Sequence, residues 1–457
     1  MKNKKIKHTS KPVNIGIKAI SFGLNDGGCS YVTNFPGTYS HDIFSFLGGK
    51  QISVNEKVAF EMAYGASLAG SRSVCCLKNV GLNVAADPFL NSMISGVNAG
   101  LVVVLIDDVE VVSSQARMDS RHYLDFYGGL WLEPTSIEQA YEFAYQAFEW
   151  SELFDVPVVI RLTNQFFNLN DSFVKKTKKK KKFKLAKGFG KKFIVHPTYW
   201  RSQFENLNKK NKKIQDFVDS LYDRSNLNNK KIISFGNSQR EIKKSNISEN
   251  DLFNIYSYPS PEFIKDMKIS AIFEQGDNYG FEKISKERFH YKSSVGDLDI
   301  DYKYRVWSEL EKLFFALKNI NPDYVVSELT QFTRETANVI DSCLCLGSGV
   351  AVASGIAETG VKYPIVVSGD TSFLHGMGFL EAIYRKLNLG LIIIENGGSW
   401  CTGGQQQLIN NIDFCSKMGV SFKILDYKKT TQQDIEKELL KMKKKAELFV
   451  LFIKKDK

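Results

Sequence analysis

The chain lacks the spacings from which iron–sulfur clusters and zinc ribbons are built. Its seven cysteines include no Cys-x-x-Cys pair: Cys75 and Cys76 are adjacent, Cys343 and Cys345 are one residue apart, and the rest are isolated. An odd number of cysteines in a chain of 457 residues also argues against a disulfide framework. Long apolar runs are missing as well. Leu101 to Ile106 and Leu391 to Ile394, the longest, fall far short of the roughly 18–20 residues that a bilayer span needs. The basic start Met1 to His8 is not followed by an apolar segment of signal-peptide length, so the expected location is cytoplasmic and no membrane partner is expected.

What is present is the composition of a folded globular protein, 43% hydrophobic and 12% aromatic, in a chain long enough for two to three domains. The net charge of +11 (61 − 50) has one source. Residues 175–192 hold 11 lysines and no acid. Such a tract could bind nucleic acid or an acidic partner. It lies between domains with only Phe183, Phe189 and Phe193 in or beside it, and the favoured expectation is a solvated linker, with nucleic acid the weaker reading.

The most informative stretch is Val361 to Gln407. Tyr363 to Ser368 is an apolar run ending in Gly369-Asp370, and Leu391 to Ile394 is a second ending in Glu395-Asn396-Gly397-Gly398. Between them Leu380, Ile383, Tyr384 and Leu387 fall at i, i+3, i+4, i+7, the spacing of one helical face. Two apolar strands joined by a helix must run parallel, which predicts Asp370 and Asn396 side by side at the carboxyl ends of neighbouring strands. That edge is where open α/β sheets bind ligands. A carboxylate, an amide oxygen and a carbonyl near Gly398 would suit Mg²⁺, which takes octahedral oxygen ligands and keeps phosphates and water in the other positions. Gly369, Gly376, Gly378, Gly397 and Gly398 would let the backbone approach phosphates.

Gly-Asp followed 26 residues later by Asn arises by chance in roughly one chain in fifteen of this length, so the spacing alone is suggestive only. Its surroundings narrow it. The run Gly369-Asp370-Thr371-Ser372-Phe373-Leu374-His375, with Glu395-Asn396 through Thr402-Gly403-Gly404-Gln405, resembles the α subunit of indolepyruvate:ferredoxin oxidoreductase, a thiamine-diphosphate-dependent 2-oxo acid oxidoreductase. Asn55-Glu56-Lys57-Val58-Ala59, Lys78 to Ala85, Asp87-Pro88, Asp107-Asp108, Ser113-Ser114-Gln115 and Asp119-Ser120-Arg121 extend the likeness.

The resemblance implies an α/β fold of doubly wound parallel sheets: a pyrimidine-binding domain at 14–164, a reduced middle α/β domain at 165–312 and a diphosphate-binding domain at 313–457. Alternating apolar runs support the first, with strands expected at Gln51 to Val54, Val74 to Leu77, Leu101 to Ile106 and Val156 to Arg161. In the middle, strands are expected at Lys231 to Phe235 and Ala271 to Glu274, and His196 and His290 read as structural. After Gln407 one more helix and a strand at Leu448 to Ile453 are expected.

The resemblance further implies thiamine diphosphate and Mg²⁺ as cofactors, with Asp370, Asn396 and Gly398 on the metal and Gly369, Thr371, Gly349 and Asn83 on the cofactor. On spacing alone Glu56 is a first-turn acid complementing a helix dipole; the resemblance makes it the carboxylate facing the aminopyrimidine. It also places Thr38, in the Thr33 to Thr38 turn, at the substrate carboxylate. His375 and, less favourably, His41 are the histidines placed to meet substrate. The expected reaction is decarboxylation of an aryl pyruvate-like 2-oxo acid by a homodimer, with a possible second subunit.

Three departures bear on the outcome. The chain carries no cluster motif and stops where the family's ferredoxin-like domain would begin, the histidine of the family's Thr-Gly-His-Gln motif is Gly404, and the segment ahead of the cofactor loop is replaced by residues 328–335. No iron–sulfur cluster is therefore expected in this chain. Electrons would pass to a separate ferredoxin-like acceptor, or the reaction would end in an aldehyde or acyloin. A non-catalytic assembly subunit is a third, less favoured reading.

Overall fold

The computed structural model describes residues 14–188, 190–224, 230, 232–236, 248–267, 271–273, 310–329, 339–399, 405–445 and 447–455. Three sheets organise them. The first contains β1 (Tyr31–Asn34), β2 (Ser73–Lys78), β3 (Leu101–Asp107), β4 (Leu130–Leu132), β5 (Val158–Thr163) and the short β8 (Ser257–Tyr258) in the order β1-β2-β3-β5-β4-β8. All its pairings are parallel except β4 with β8. A small parallel sheet orders β6 (Ile232–Phe235), β7 (Leu252–Ile255) and β9 (Ala271–Phe273) as β7-β6-β9. The last holds β10 (Val325–Ser327), β11 (Ile365–Gly369), β12 (Gly390–Glu395), β13 (Ser421–Asp426) and β14 (Phe449–Lys454), all parallel, in the order β10-β11-β12-β14-β13.

Helices cover both faces of the large sheets, so the central strands read as unbroken apolar runs rather than alternating ones. Every residue of β2, β3 and β5 is buried. Strands expected from such runs fall within a residue or two of those observed, and the parallel pairing of β11 with β12 is as expected.

Elsewhere the structure corrects the sequence reading. Gln51 to Val54 is a loop, because it finds no neighbouring strand and leads directly into the Glu56–Leu68 helix. The helix between β11 and β12 spans Gly378–Tyr384 and buries Phe379, Glu381 and Ala382, whereas Tyr384 is 66% exposed. Its buried face thus lies one residue off the expected stripe. Beyond residue 407 there are two helices, Asn411–Lys417 and Gln432–Lys445, and two strands, β13 and β14. β8 lies within the expected middle domain yet pairs with β4 of the first sheet.

The lysine tract is largely exposed, as a solvated linker would be, but it is tied to the domain. Its described residues form an irregular strap lying along the Ile137–Phe154 helix, where Lys176, Lys179 and Lys181 pair with Glu142, Glu149 and Glu152 at 2.6, 2.8 and 2.8 Å. The ammonium group of Lys179 also sits 4.0 Å over the Tyr145 ring. Main-chain bonds pin the strap: the Lys179 amide donates to the Asp26 carbonyl (2.7 Å) and the Ala186 amide to that of Leu68 (2.9 Å). It then crosses to the carboxy-terminal sheet unit, where the Gly188 amide donates to Asp341 Oδ1 at 3.2 Å. Among the described residues no helix is long and apolar enough to cross a membrane.

Candidate functional site

The carboxyl ends of β11 and β12 supply the first half of the site. Register pairs Gly369 with Ile394, so Asp370, just past β11, lies beside Asn396, just past β12. Asp370 Oδ2 accepts the amides of Asn396, Gly397 and Gly398 at 3.3, 2.9 and 3.0 Å, and Oδ1 accepts that of Thr371 at 2.7 Å. Burial pushes the Asp370 carboxyl above the ordinary range, and these amides hold back part of that rise. Gly397 and Gly398, with φ of 81° and 153°, turn the chain back on itself here.

That turn gathers three polar groups. The Asn396 side-chain amide nitrogen donates to Asp370 Oδ2 and to the Gly398 carbonyl oxygen, each at 3.0 Å. Neighbouring ligands of a small octahedral cation are roughly 3 Å apart, which is the spacing of the Asn396 amide group from each of these two oxygens. Buried Asn411 braces the pair of strands, donating to the Asp370 carbonyl and to Glu395 Oε1, both at 2.9 Å.

The loop before the Gly349–Glu358 helix is held from beneath. Glu328, 1% exposed just after β10, accepts the amides of Gly347 (2.6 Å) and Gly349 (2.7 Å). His375 lies over this loop: a Cβ on Gly347 would sit 2.8 Å from its Nδ1, and the positive φ of 77° there also favours glycine.

On the first sheet, Glu56 opens its helix behind the Asn55 cap, whose side chain accepts the Val58 amide at 2.8 Å. The Glu56 carboxylate lies against Gly81, where an added Cβ would meet Oε1 at 2.9 Å. Thr38 is exposed in the turn after β1. His41 is exposed as well, with Nδ1 3.2 Å from Oδ1 of the buried Asn34. Asn83 accepts the Tyr123 hydroxyl at 2.6 Å. Lys78, at the end of β2, pairs with Asp108 at 3.3 Å and donates to Ser113 at 2.8 Å. Although burial opposes it, the Val112 and Ser113 amides and the Asn164 side chain hold the Asp108 carboxyl well below its usual range.

The two halves meet along the Glu56–Leu68 and Gly349–Glu358 helices. They approach so closely that a Cβ on Gly65 would be 2.1 Å from the Val352 carbonyl oxygen, and one on Gly355 would be 2.0 Å from that of Met62. Lys57, next to Glu56, pairs with Glu61 and reaches Cys345 Sγ (3.4 Å) and the Leu346 carbonyl (3.5 Å). Burial pushes Glu61 up to about 7 against the pull of Lys57, and burial pushes Glu328 up to about 8 against the Gly349 and Gly347 amides. Glu61 Oε2 has no hydrogen-bond partner among the described residues. One lysine thus faces two buried carboxylates.

The fold brings Glu56 and the Gly347–Gly349 loop to one seam. Thr38, in the turn after β1, and Asn83, on the helix after β2, are both exposed. Sequence reasoning missed Lys57, Glu61, Glu328 and Glu381. The i,i+4 spacing of Lys57 and Glu61 was visible, but nothing local marked Glu328 as their neighbour. Gly404, Thr402, Gly403, His290 and residues 330–335 lie outside the described residues.

Residues 324–440 match the family model described as "Thiamine pyrophosphate enzyme, C-terminal TPP binding domain". The chain is 26% identical to indolepyruvate oxidoreductase subunit IorA of Archaeoglobus fulgidus over 90% of its own length and 79% of that protein. By sequence the chain is thus similar to IorA, and residues 324–440 match a thiamine-pyrophosphate-binding domain. IorA of Methanothermobacter thermautotrophicus is 38% identical over 159 residues, 33% of this chain and 26% of that one. Among solved structures, benzoylformate decarboxylase of Polynucleobacter necessarius shares the fold with a TM-score of 0.56 at 11% identity, covering 97% of this chain and 98% of its own. The 4-hydroxybenzoylformate decarboxylase of Rhodococcus jostii gives 0.55 at 14%, covering 97% and 99%. The chain therefore has the fold of these thiamine-diphosphate-dependent enzymes.

Proposed function

We propose that this protein decarboxylates a 2-oxo acid of the aryl pyruvate type with thiamine diphosphate and Mg²⁺, passing electrons to a separate partner subunit or ferredoxin-like acceptor. The single observation that carries the reading is the juxtaposition of the Asp370 carboxylate, the Asn396 side chain and the Gly398 carbonyl at neighbouring parallel strand ends. The name of the IorA relatives supports the oxidative outcome and the indolic substrate. A non-oxidative decarboxylase or carboligase is the second reading, favoured only by the absence of a Cys-x-x-Cys spacing from this sequence.

In this reading Asp370, Asn396 and Gly398 hold the metal, while Gly369, Thr371, Gly349 and Asn83 line the cofactor. When bound, the cofactor supplies a nucleophilic carbon and an electron sink for the carboxylate's departure. The protein's part is to place and exchange protons. Glu56 would exchange a proton with the cofactor's aminopyrimidine, and Gly81 leaves its carboxyl room to lie flat. Thr38 and His375 orient the substrate carboxylate, and a homodimer completes the assembly.

The test is anaerobic release of CO₂ from a panel of 2-oxo acids with thiamine diphosphate and Mg²⁺, with and without an acceptor. Glu56→Gln is expected to keep measurable cofactor binding and to lose CO₂ release by at least about a hundredfold. Undiminished turnover in that variant would sink the reading.

A further inference from the structure

We propose that Glu381 is a positioning residue for Glu56, holding the first sheet's carboxylate in place from the carboxy-terminal sheet unit. This rests on the reading of Glu56 given above. Glu381 is fully buried on the Gly378–Tyr384 helix, and its Oε2 accepts the Val54 amide at 2.8 Å, two residues ahead of Glu56. Its other oxygen accepts Arg385 Nε at 2.5 Å. Arg385 is held in turn by Glu358 at 2.9 Å and donates through Nη2 to the Gln51 carbonyl at 3.0 Å. The Tyr31 hydroxyl, from β1, closes the network on Glu358 at 2.5 Å.

Three features make this more than an ordinary seam contact. Gln51, Ile52 and Val54 are exposed, so the loop entering the Glu56 helix has little apolar packing to fix it. Side chains of the opposite unit hold it at both ends, at Gln51 and at Val54. And the helix bearing Glu381 begins eight residues after Asp370, so one short segment carries both the cation-facing carboxylate and the grip on the Glu56 loop. A charge-assisted bond from a buried carboxylate to a backbone amide is among the stronger hydrogen bonds in a protein. Loss of that charge frees Val54 and, with it, the first turn of the helix.

The experiment compares Glu381→Gln, Arg385→Met and Glu56→Gln with the unmodified protein. In the cofactor-free protein, deuterium exchange at the Val54 amide is expected to quicken about tenfold to a hundredfold in Glu381→Gln and less in Arg385→Met, with amides late in the Glu56–Leu68 helix unchanged. With thiamine diphosphate bound, deuterium exchange at the cofactor's reactive carbon is expected to slow about tenfold in Glu381→Gln, at nearly unchanged cofactor affinity. Unaltered Val54 exchange, or faster exchange across the whole chain, overturns the inference. If Glu56→Gln slows the reactive-carbon exchange and Glu381→Gln does not, the inference fails and the functional reading stands. If neither variant slows it, the functional reading fails as well.

Discussion

In strand order the two large sheets are alike: β1-β2-β3-β5-β4 in one and β10-β11-β12-β14-β13 in the other. Their second and third strands nevertheless end differently. In the first, β2 ends in Lys78 and β3 is followed by Asp108, and the two form an ion pair. In the other, Asp370 and Asn396 follow the equivalent strands, and the Asn396 side-chain amide donates to Asp370 and to the Gly398 carbonyl. The first edge carries a lysine cation beside its carboxylate; the second surrounds its carboxylate with amide donors. One topology thus holds an edge carboxylate with a fixed charge in one place and with amides in the other.

Breaking the ion pair should have the largest effect. Lys78→Met removes one partner of a buried pair and is expected to destabilise the protein by about 3 kcal/mol, at the low end for such changes because the Val112 and Ser113 amides and the Ser113 and Asn164 side chains still bind Asp108. Denaturant unfolding would measure it, and a loss under about 1 kcal/mol would mean the amides suffice.

At the second edge the expectation differs. Asp370→Asn should cost ligand-free stability about 1 kcal/mol, through the weakened bonds from the four amides that Asp370 accepts, and abolish the stabilisation by thiamine diphosphate and Mg²⁺ together, about 2.7 kcal/mol at a hundred times the dissociation constant. Equal thermal stabilisation of variant and parent would remove Asp370 from the site.

The seam between the sheets sharpens the contrast, because there one Lys57 faces Glu61 and Glu328. Both carboxyls lie above their unfolded values, so their contribution is complete below about pH 4.5 and fades as pH rises through 7 and 8. Glu61→Gln is expected to flatten that decline by on the order of 2 kcal/mol, read from melting curves between pH 5 and 8.5. An unchanged slope would place the titrating proton elsewhere. The smallest effect is expected from the strap: its ion pairs are partly exposed, so 0.5 M salt should cost less than about 1 kcal/mol.

Much of this architecture could be read from the sequence where local pattern and fold agree. β3, β11 and β12 are unbroken apolar runs ended by turn-forming or acidic residues, and both strand type and parallel pairing follow from that. Gln51 to Val54 misled because its β-branched residues suit a strand, while its true partners are side chains more than 300 residues away. Tyr31–Asn34 was hidden by its brevity and by the Pro-Gly turn that follows it. The placing of Asp370 and Asn396 at neighbouring strand ends was legible because each closes an apolar run. Glu328 and Glu381 were not, since each is a polar residue whose neighbours come from a distant segment. Their only local signal is a carboxylate among apolar residues.

The strap carries one further consequence. Eleven lysines within 18 residues would ordinarily mark the place where trypsin first opens a chain. Here the backbone is tied at Lys179 and Ala186 and the side chains are drawn onto acids and aromatic rings, so a protease cannot straighten the segment into its cleft without first peeling it from the domain. Brief digestion followed by mass spectrometry of the fragments should therefore find the earliest cuts outside residues 175–187, and the richest run of cleavage sites in the sequence should be among the last to be used.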